Sequence, residues 1–291
     1  MRRSPVHRQQ RASTWLALAL ATAALAALPA RAADLHPETL QAFNRYIQAN
    51  DARFDREIKD GPFLWVDAQS GAQRDAFYQQ LRAGEVVIKH VAVTVEGKEL
   101  DIPDGIIHHW LGVVFIPGVT LQQTLRLLQD YDHHLKYYAP DVTRSKLLEH
   151  KENFFRSYLR FFKKKVLTVV IDTEHEAIYQ ELSSTRAISR SHTTRVNEVE
   201  NHDEAGERLK PEGHDGGFLW RLNTYWRIEE KDGGTYVQCE GVTLTRGIPL
   251  IVKWIIEPYI SSVPKESLLH TLGKTREALQ HPPGAGSSPA Q

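Results

Sequence analysis

One cysteine, Cys239, is all the thiol this chain has, which excludes an internal disulfide framework and any zinc site of the paired-cysteine kind. An excess of either charge is missing too. The 36 basic and 36 acidic residues cancel, so no nucleic-acid partner is expected. No Gly-x-Ser-x-Gly elbow occurs, and nothing close in sequence pairs Cys239 with a base, so nucleophilic catalysis has no foothold. There is no internal repeat, and no apolar run reaches the roughly 20 residues that a membrane-spanning helix needs. What is present, 41% hydrophobic and 25% charged residues, is the balance of a folded domain and excludes a disordered or collagen-like chain.

The first residues read as an export signal. Arg2, Arg3, Arg8 and Arg11 precede an uncharged run, residues 15–28, dominated by Ala and Leu. Ala30-Arg31-Ala32 then supplies small residues at the two positions a signal peptidase reads, which places the cut after Ala32. The alternative is an uncleaved anchor. No cysteine follows the run, unlike a lipoprotein signal, and Arg2-Arg3 lies far from it, unlike a twin-arginine signal. Cleavage removes five arginines and no acids, leaving 31 basic and 36 acidic residues, a net of −5. The expected address is periplasmic or secreted, and a lone thiol suits an oxidising compartment where a second one would invite mispairing.

Residues 36–58 are predicted helical, because Leu40, Phe43, Ile47, Phe54 and Ile58 recur near helical spacing, and Gly61-Pro62 ends the run. Residues 73–82 suggest a second, more polar helix, and residues 85–95 a strand rich in Val and Ile. Pro103-Asp104-Gly105 marks a boundary. Residues 106–116 form a β-branched segment interrupted by His108 and His109; neighbours on a strand face opposite ways, so these two cannot share one ion. Thr120 and Gln123 make a capping box for a helix whose buried stripe is Leu121, Leu125, Leu128 and Leu135.

Strands are then predicted at 154–162, 166–171, 176–182 and 187–199, followed by a polar loop at 201–217. The clearest strand is 218–228, whose even positions are Phe218, Trp220, Leu222, Thr224, Trp226 and Ile228. Asp232-Gly233 signals a two-residue turn. That turn sets Ile228 against Val237, Trp226 against Cys239 and Thr224 against Gly241, whereas a three-residue loop would reverse the faces. In this register Cys239 is expected to be buried and unreactive. Residues 248–260 read as a helix that Pro258 bends or ends, and Pro264 opens a last helix with Leu268, Leu269, Leu272 and Leu279 as its stripe. Residues 282–291 read as a disordered tail.

This order resembles the START-like, helix-grip superfamily of polyketide cyclases, plant ligand-binding proteins and lipid-transfer domains, including its uncharacterised exported bacterial members. His108-His109-Trp110 through Pro117 looks like the first strand, and the helix from Thr120 to Leu135, with Asp130-Tyr131-Asp132, like the one that follows it. The stretch from Tyr138 to Ser145 looks like the entry to the second strand. Gly217 to Arg227 and Gly233 to Arg246 look like the final hairpin, and Pro264 to Leu279 like the closing helix. The resemblance implies an α+β fold whose curved antiparallel sheet wraps a long C-terminal helix. It divides the chain into a signal at 1–32, an N-terminal extension at 33–105, a START-like domain at 106–281 and the tail. It carries over no catalytic residue and implies no cofactor.

The fold so implied leaves a cavity between sheet and helix, with Phe218, Trp220, Thr224, Trp226 and Leu272 as expected wall residues for a hydrophobic or amphipathic, lipid-like small molecule. The two tryptophans could equally be core aromatics. Cyclase- or dehydratase-type chemistry by Asp130, Asp132, His109 or Glu240 is the alternative, and a cell-envelope interaction protein with a filled core is a third. Asp130 and His134, four apart on a helix, could hold an ion only with a third ligand that the sequence does not place, so no metal is expected. Lys163-Lys164-Lys165 beside Arg160 reads as a solvated strand end, with transient membrane-surface contact as its other use. The mature chain is expected to begin at Ala33. N-terminal sequencing of exported protein checks this, and a product retaining residues 15–28 would contradict it.

Overall fold

A computed structural model describes residues 33–165, 167–247 and 250–281, with backbone alone for Ala33 and residues 250–261. The leader, its cleavage site, the C-terminal tail and the side chains of 248–261 lie outside what is described. The chain adopts the expected α+β helix-grip arrangement. In order, its elements are β1 (Ala33–Asp34), α1 (Pro37–Asp60), a 3-10 turn (Trp65–Ala68), α2 (Gly71–Arg82), β2 (Val87–His90), β3 (Gly105–Pro117), α3 (Leu121–Gln129) and α4 (His134–Tyr137). Then follow β4 (Val142–Lys151), β5 (Phe154–Lys164), β6 (Thr168–Glu181), β7 (Arg186–Glu200), β8 (Arg208–Leu209), β9 (His214–Asp215), β10 (Arg221–Lys231), β11 (Gly234–Arg246) and α5 (Leu250–Gln280). The main sheet is antiparallel in the order β2-β3-β11-β10-β7-β6-β5-β4, with β8 added on β7.

Local sequence explains the best-defined joints. Thr120 Oγ1 accepts from the Gln123 amide while the Gln123 side chain accepts from the Thr120 amide, so the capping box forms and starts α3. Asp232 and Gly233 both adopt positive φ, 57° and 74°, which matches the twist of the flanking strands. The β10–β11 register is the expected one: Ile228 faces Val237, Trp226 faces Cys239 and Thr224 faces Gly241. Cys239 is buried.

Four elements differ from expectation. Residues 85–95 contribute only the four-residue β2. The two strands expected at 166–171 and 176–182 are one, β6 (Thr168–Glu181), because its polar middle is satisfied in place: Asp172 accepts from the Arg160 guanidinium at 2.6 and 2.8 Å. α3 ends at Gln129, so Leu135 sits on α4 and is exposed rather than part of the buried stripe. The two C-terminal helices are one, α5, whose backbone runs through Pro258 and Pro264 although each lacks the N–H for a helical bond. Its hold on the sheet is close: a Cβ on Gly112 of β3 would meet Leu272 Cδ1 at 2.6 Å. Among the described residues no helix is long and apolar enough to cross a membrane.

Both faces of the central strands are covered. On one, Val114, Ile116, Ile228 and Val237 pack with Leu121, Leu125 and Leu128 of α3 and Leu268 and Leu272 of α5. On the other, Leu111, Val113, Phe115, Tyr236, Val242 and Leu244 pack with Phe43 and Phe54 of α1, Leu64 and Val66 at the 3-10 turn, and Leu81 of α2. Residues 34–104 are thus the second lid of the sheet. Trp220 belongs to this second layer and not to the face of Trp226. β10 begins only at Arg221, and the chain bends at Phe218 and at Trp220, so the alternation breaks before Trp220. Its indole Nε1 donates to Asp215 Oδ1 at 3.2 Å.

A polar cluster is buried between α1 and the sheet. Tyr46 donates to His109 Nδ1 at 2.7 Å, and His109 Nε2 donates to Glu240 Oε1 at 2.7 Å. Arg53 bridges Glu240 and Glu57, and Glu57 also receives Arg227, whose other branch donates to the Phe63 carbonyl. Burial would raise the Glu240 carboxyl, but His109 and Arg53 outweigh it and bring it down to about 2. His109, pushed down by burial against the pull of Glu240, stays neutral, as its place between a donor and an acceptor requires. Removing the anion leaves the buried His109 Nε2 without its acceptor and Arg53 with Glu57 as its remaining carboxylate, so Glu240→Ala should cost about 1–3 kcal/mol in urea unfolding. Because the folded carboxyl titrates below the unfolded value of about 4.3, its stabilisation is complete above that pH and fades as pH falls toward about 2. Glu240→Gln should flatten that part of the acid profile, and an unchanged profile would contradict this account.

Candidate functional site

Between the sheet and α5 lies a cavity of about 1520 Å³, so the interior is not closed by its own side chains. Register creates part of the space. Trp226 stands opposite Cys239 and Thr224 opposite Gly241, and a Cβ on Gly241 would meet nothing within 4 Å. Leu159 and Phe161 of β5, Ile171 of β6 and Leu268 of α5 add apolar wall. The helical end is closed by Leu128, Tyr131, His134 and Tyr138, and the open end is rimmed by Lys163, Lys165, Leu167, residues 208–211 and Arg246.

Of the residues expected on the wall, Phe218, Thr224 and Trp226 line the cavity. Trp220 faces the opposite layer, and Leu272 is fully buried in the core beneath α5 rather than on the wall. The expected acids and bases are elsewhere. His109 and Glu240 face α1. Asp130 accepts from Tyr137 at 2.6 Å and from His133 at 2.8 Å, and Asp132 accepts from the Leu147 amide at 2.9 Å. His134 turns away from Asp130, its Nε2 donating to the Leu128 carbonyl at 3.1 Å.

The inner wall is uncharged near neutral pH. Burial pushes His134 down to about 4 and His175 down to about 3, so both imidazoles are neutral. Burial also raises Tyr131 to about 12 and lifts Tyr138 and Tyr179 above the ordinary phenol range. Tyr131 and Tyr179 bond hydroxyl to hydroxyl at 3.0 Å, and Tyr179 donates on to the Leu128 carbonyl at 3.2 Å.

Charge is confined to the rim, where it is mostly neutralised. Lys163 pairs with Asp141, Lys165 with Glu266, Arg208 with Glu200 and Lys210 with Glu198. Arg246 is the exception among the described rim cations: no described carboxylate pairs with it, and it lies over the Phe218 ring, 5.9 Å from its centre. Sequence reasoning did not pick out Arg246, Ser157, His175 or the tyrosines. For Ser157 and His175 a signal existed, since each is a polar residue at an apolar-phase position of its strand.

No protein-family model matches the chain, and no curated protein matches it. Solved structures resemble it in chain course. A STAR-related lipid transfer protein from Xanthomonas axonopodis (fragment 25–204) is 19% identical, with 67% of this chain and 94% of that one covered and a TM-score of 0.43. The Zhui aromatase/cyclase from Streptomyces sp. R1128 is 11% identical, covering 62% and 98%, with a TM-score of 0.43. Human STARD10 is 9% identical, covering 74% and 84%, with a TM-score of 0.40.

Proposed function

We propose that this protein is an exported binder of a hydrophobic or amphipathic, lipid-like small molecule, held between the sheet and α5. The observation that carries this reading is the cavity, whose 1520 Å³ exceeds the roughly 300–1,000 Å³ typical of a drug-sized ligand and whose inner wall is apolar and uncharged. An apolar body fits the wall of Trp226, Leu159, Phe161 and Ile171, and a polar end fits the rim, where no described carboxylate pairs with Arg246. Leu167 and Leu209, 62% and 44% exposed beside that opening, suit brief contact with a membrane surface during loading. Export rests on the leader reading of residues 1–32.

Binding is favoured over cyclase-type chemistry by the character of the titratable groups on the inner wall. His134 and His175, with values of about 4 and 3, are weak bases, and the tyrosines are weak acids.

The two tryptophans separate wall from core. Trp226 is half-buried on the cavity wall, so Trp226→Ala should stay folded and lose uptake of a fluorescent fatty acid such as cis-parinaric acid. Trp220 is buried among packed groups, so Trp220→Ala should cost about 3–5 kcal/mol in urea unfolding. A wild-type protein that takes up no probe, or a Trp226→Ala variant that binds it unchanged, would contradict the proposal.

A further inference from the structure

Two polar residues on neighbouring strands meet on the inner wall. Ser157 of β5 and His175 of β6 stand directly opposite each other in the ladder, and both line the cavity. Apolar residues flank them on the same face: Phe155 and Leu159 on β5, Ala177 on β6. Ser157 is 1% exposed, and its Oγ makes no hydrogen bond with any described group. A buried hydroxyl without a partner is costly and rare in native interiors.

The neighbouring hydrogen bonds fix what His175 offers. Thr173 Oγ1 donates its single proton to the Leu159 carbonyl at 3.0 Å. It can therefore only accept in its 2.8 Å contact with His175 Nε2, so Nε2 carries the imidazole proton. Nδ1 is then a bare acceptor, and none of the described groups donates to it. The imidazole is neutral near neutral pH, since burial holds it well below its ordinary range. The pair thus holds one acceptor, His175 Nδ1, and one donor without a partner, Ser157 Oγ, which lies just beneath the cavity surface.

We infer that the cavity selects a hydroxylated amphiphile, whose alcohol oxygen takes the Ser157 proton and whose own proton goes to His175 Nδ1. An alcohol satisfies both partners at once; a ketone or ester carbonyl, having no proton, leaves Nδ1 bare. This rests on the ligand-binding reading above and narrows its substrate class. A site built to bond a hydroxyl discriminates against the analogue lacking it, because its own polar groups are then left unpaired.

The test uses the full mature chain with stearic acid and a positional series of hydroxystearic acids, each displacing cis-parinaric acid. The expected result is that at least one hydroxystearate binds wild type about tenfold tighter than stearate, equivalent to about 1.4 kcal/mol. Ser157→Ala should abolish that preference, so that hydroxystearate and stearate compete equally. Its thermal midpoint without added ligand should be unchanged or higher, because an unpartnered oxygen has been removed. Equal binding of all the acids to wild type, a preference that survives Ser157→Ala, or a lowered midpoint that reveals a structural hydroxyl would each overturn the inference. Stearate binding without discrimination overturns this inference alone, whereas failure of every acid to bind overturns it together with the ligand-binding reading.

Discussion

Strands β3, β10 and β11 carry apolar side chains on both faces, and neither face can be left to water. Most of the architecture follows from that constraint. One face, with Val114, Ile116, Ile228 and Val237, is roofed by α3 and α5. The other, with Leu111, Val113, Tyr236 and Val242, is roofed by α1, the 3-10 turn and α2. The second roof is fastened by charge as well as by burial. Arg53 links Glu57 of its own helix to Glu240 of the sheet, and Arg227 reaches back from the sheet to Glu57. A helix face alone would allow α1 to slide; a buried, hydrogen-bonded set of partners gives it one seat.

With the outer face sealed, the inner face can be left partly unfilled. α5 presses hard on β3, where Leu272 meets Gly112, but the sheet curves away from it toward β5, β6 and β7, and the space between becomes the cavity. The small residues Cys239 and Gly241 widen it opposite Trp226 and Thr224. Its interior holds imidazoles and phenols that burial keeps uncharged, while lysines and arginines stay at the rim. An apolar interior with a polar mouth orients an amphiphile by its own chemistry.

Much of this was legible in the residues. Asp232-Gly233 fixed the hairpin register, and with it the face shared by Thr224, Trp226 and Cys239. Thr120 with Gln123 fixed the start of α3. What escaped was whatever depended on distant partners. Asp172 reads as a strand breaker until Arg160 is placed beside it. Phe43 and Phe54 announce a buried helix face without saying what buries it. The face of Trp220 was misread because period-two alternation was carried back past Arg221, where β10 begins, into a stretch that bends at Phe218 and Trp220. On the wall, Thr224 and Trp226 followed from alternation, while Phe218 reaches it from the bent segment before β10, and Ser157 and His175 needed the pairing of β5 with β6 to bring them together. The leader and its cleavage site are statements about sequence alone.

The central claim is that the cavity is a ligand site and not a packing fault. Native mass spectrometry of the protein purified under mild conditions from its own host tests it most directly. The account requires a species heavier than the mature chain by the mass of a lipophilic small molecule, released when the chain is denatured and absent from Trp226→Ala prepared in the same way. A single species at the mass of the bare chain, unchanged after incubation with the host's own lipid extract, would contradict it.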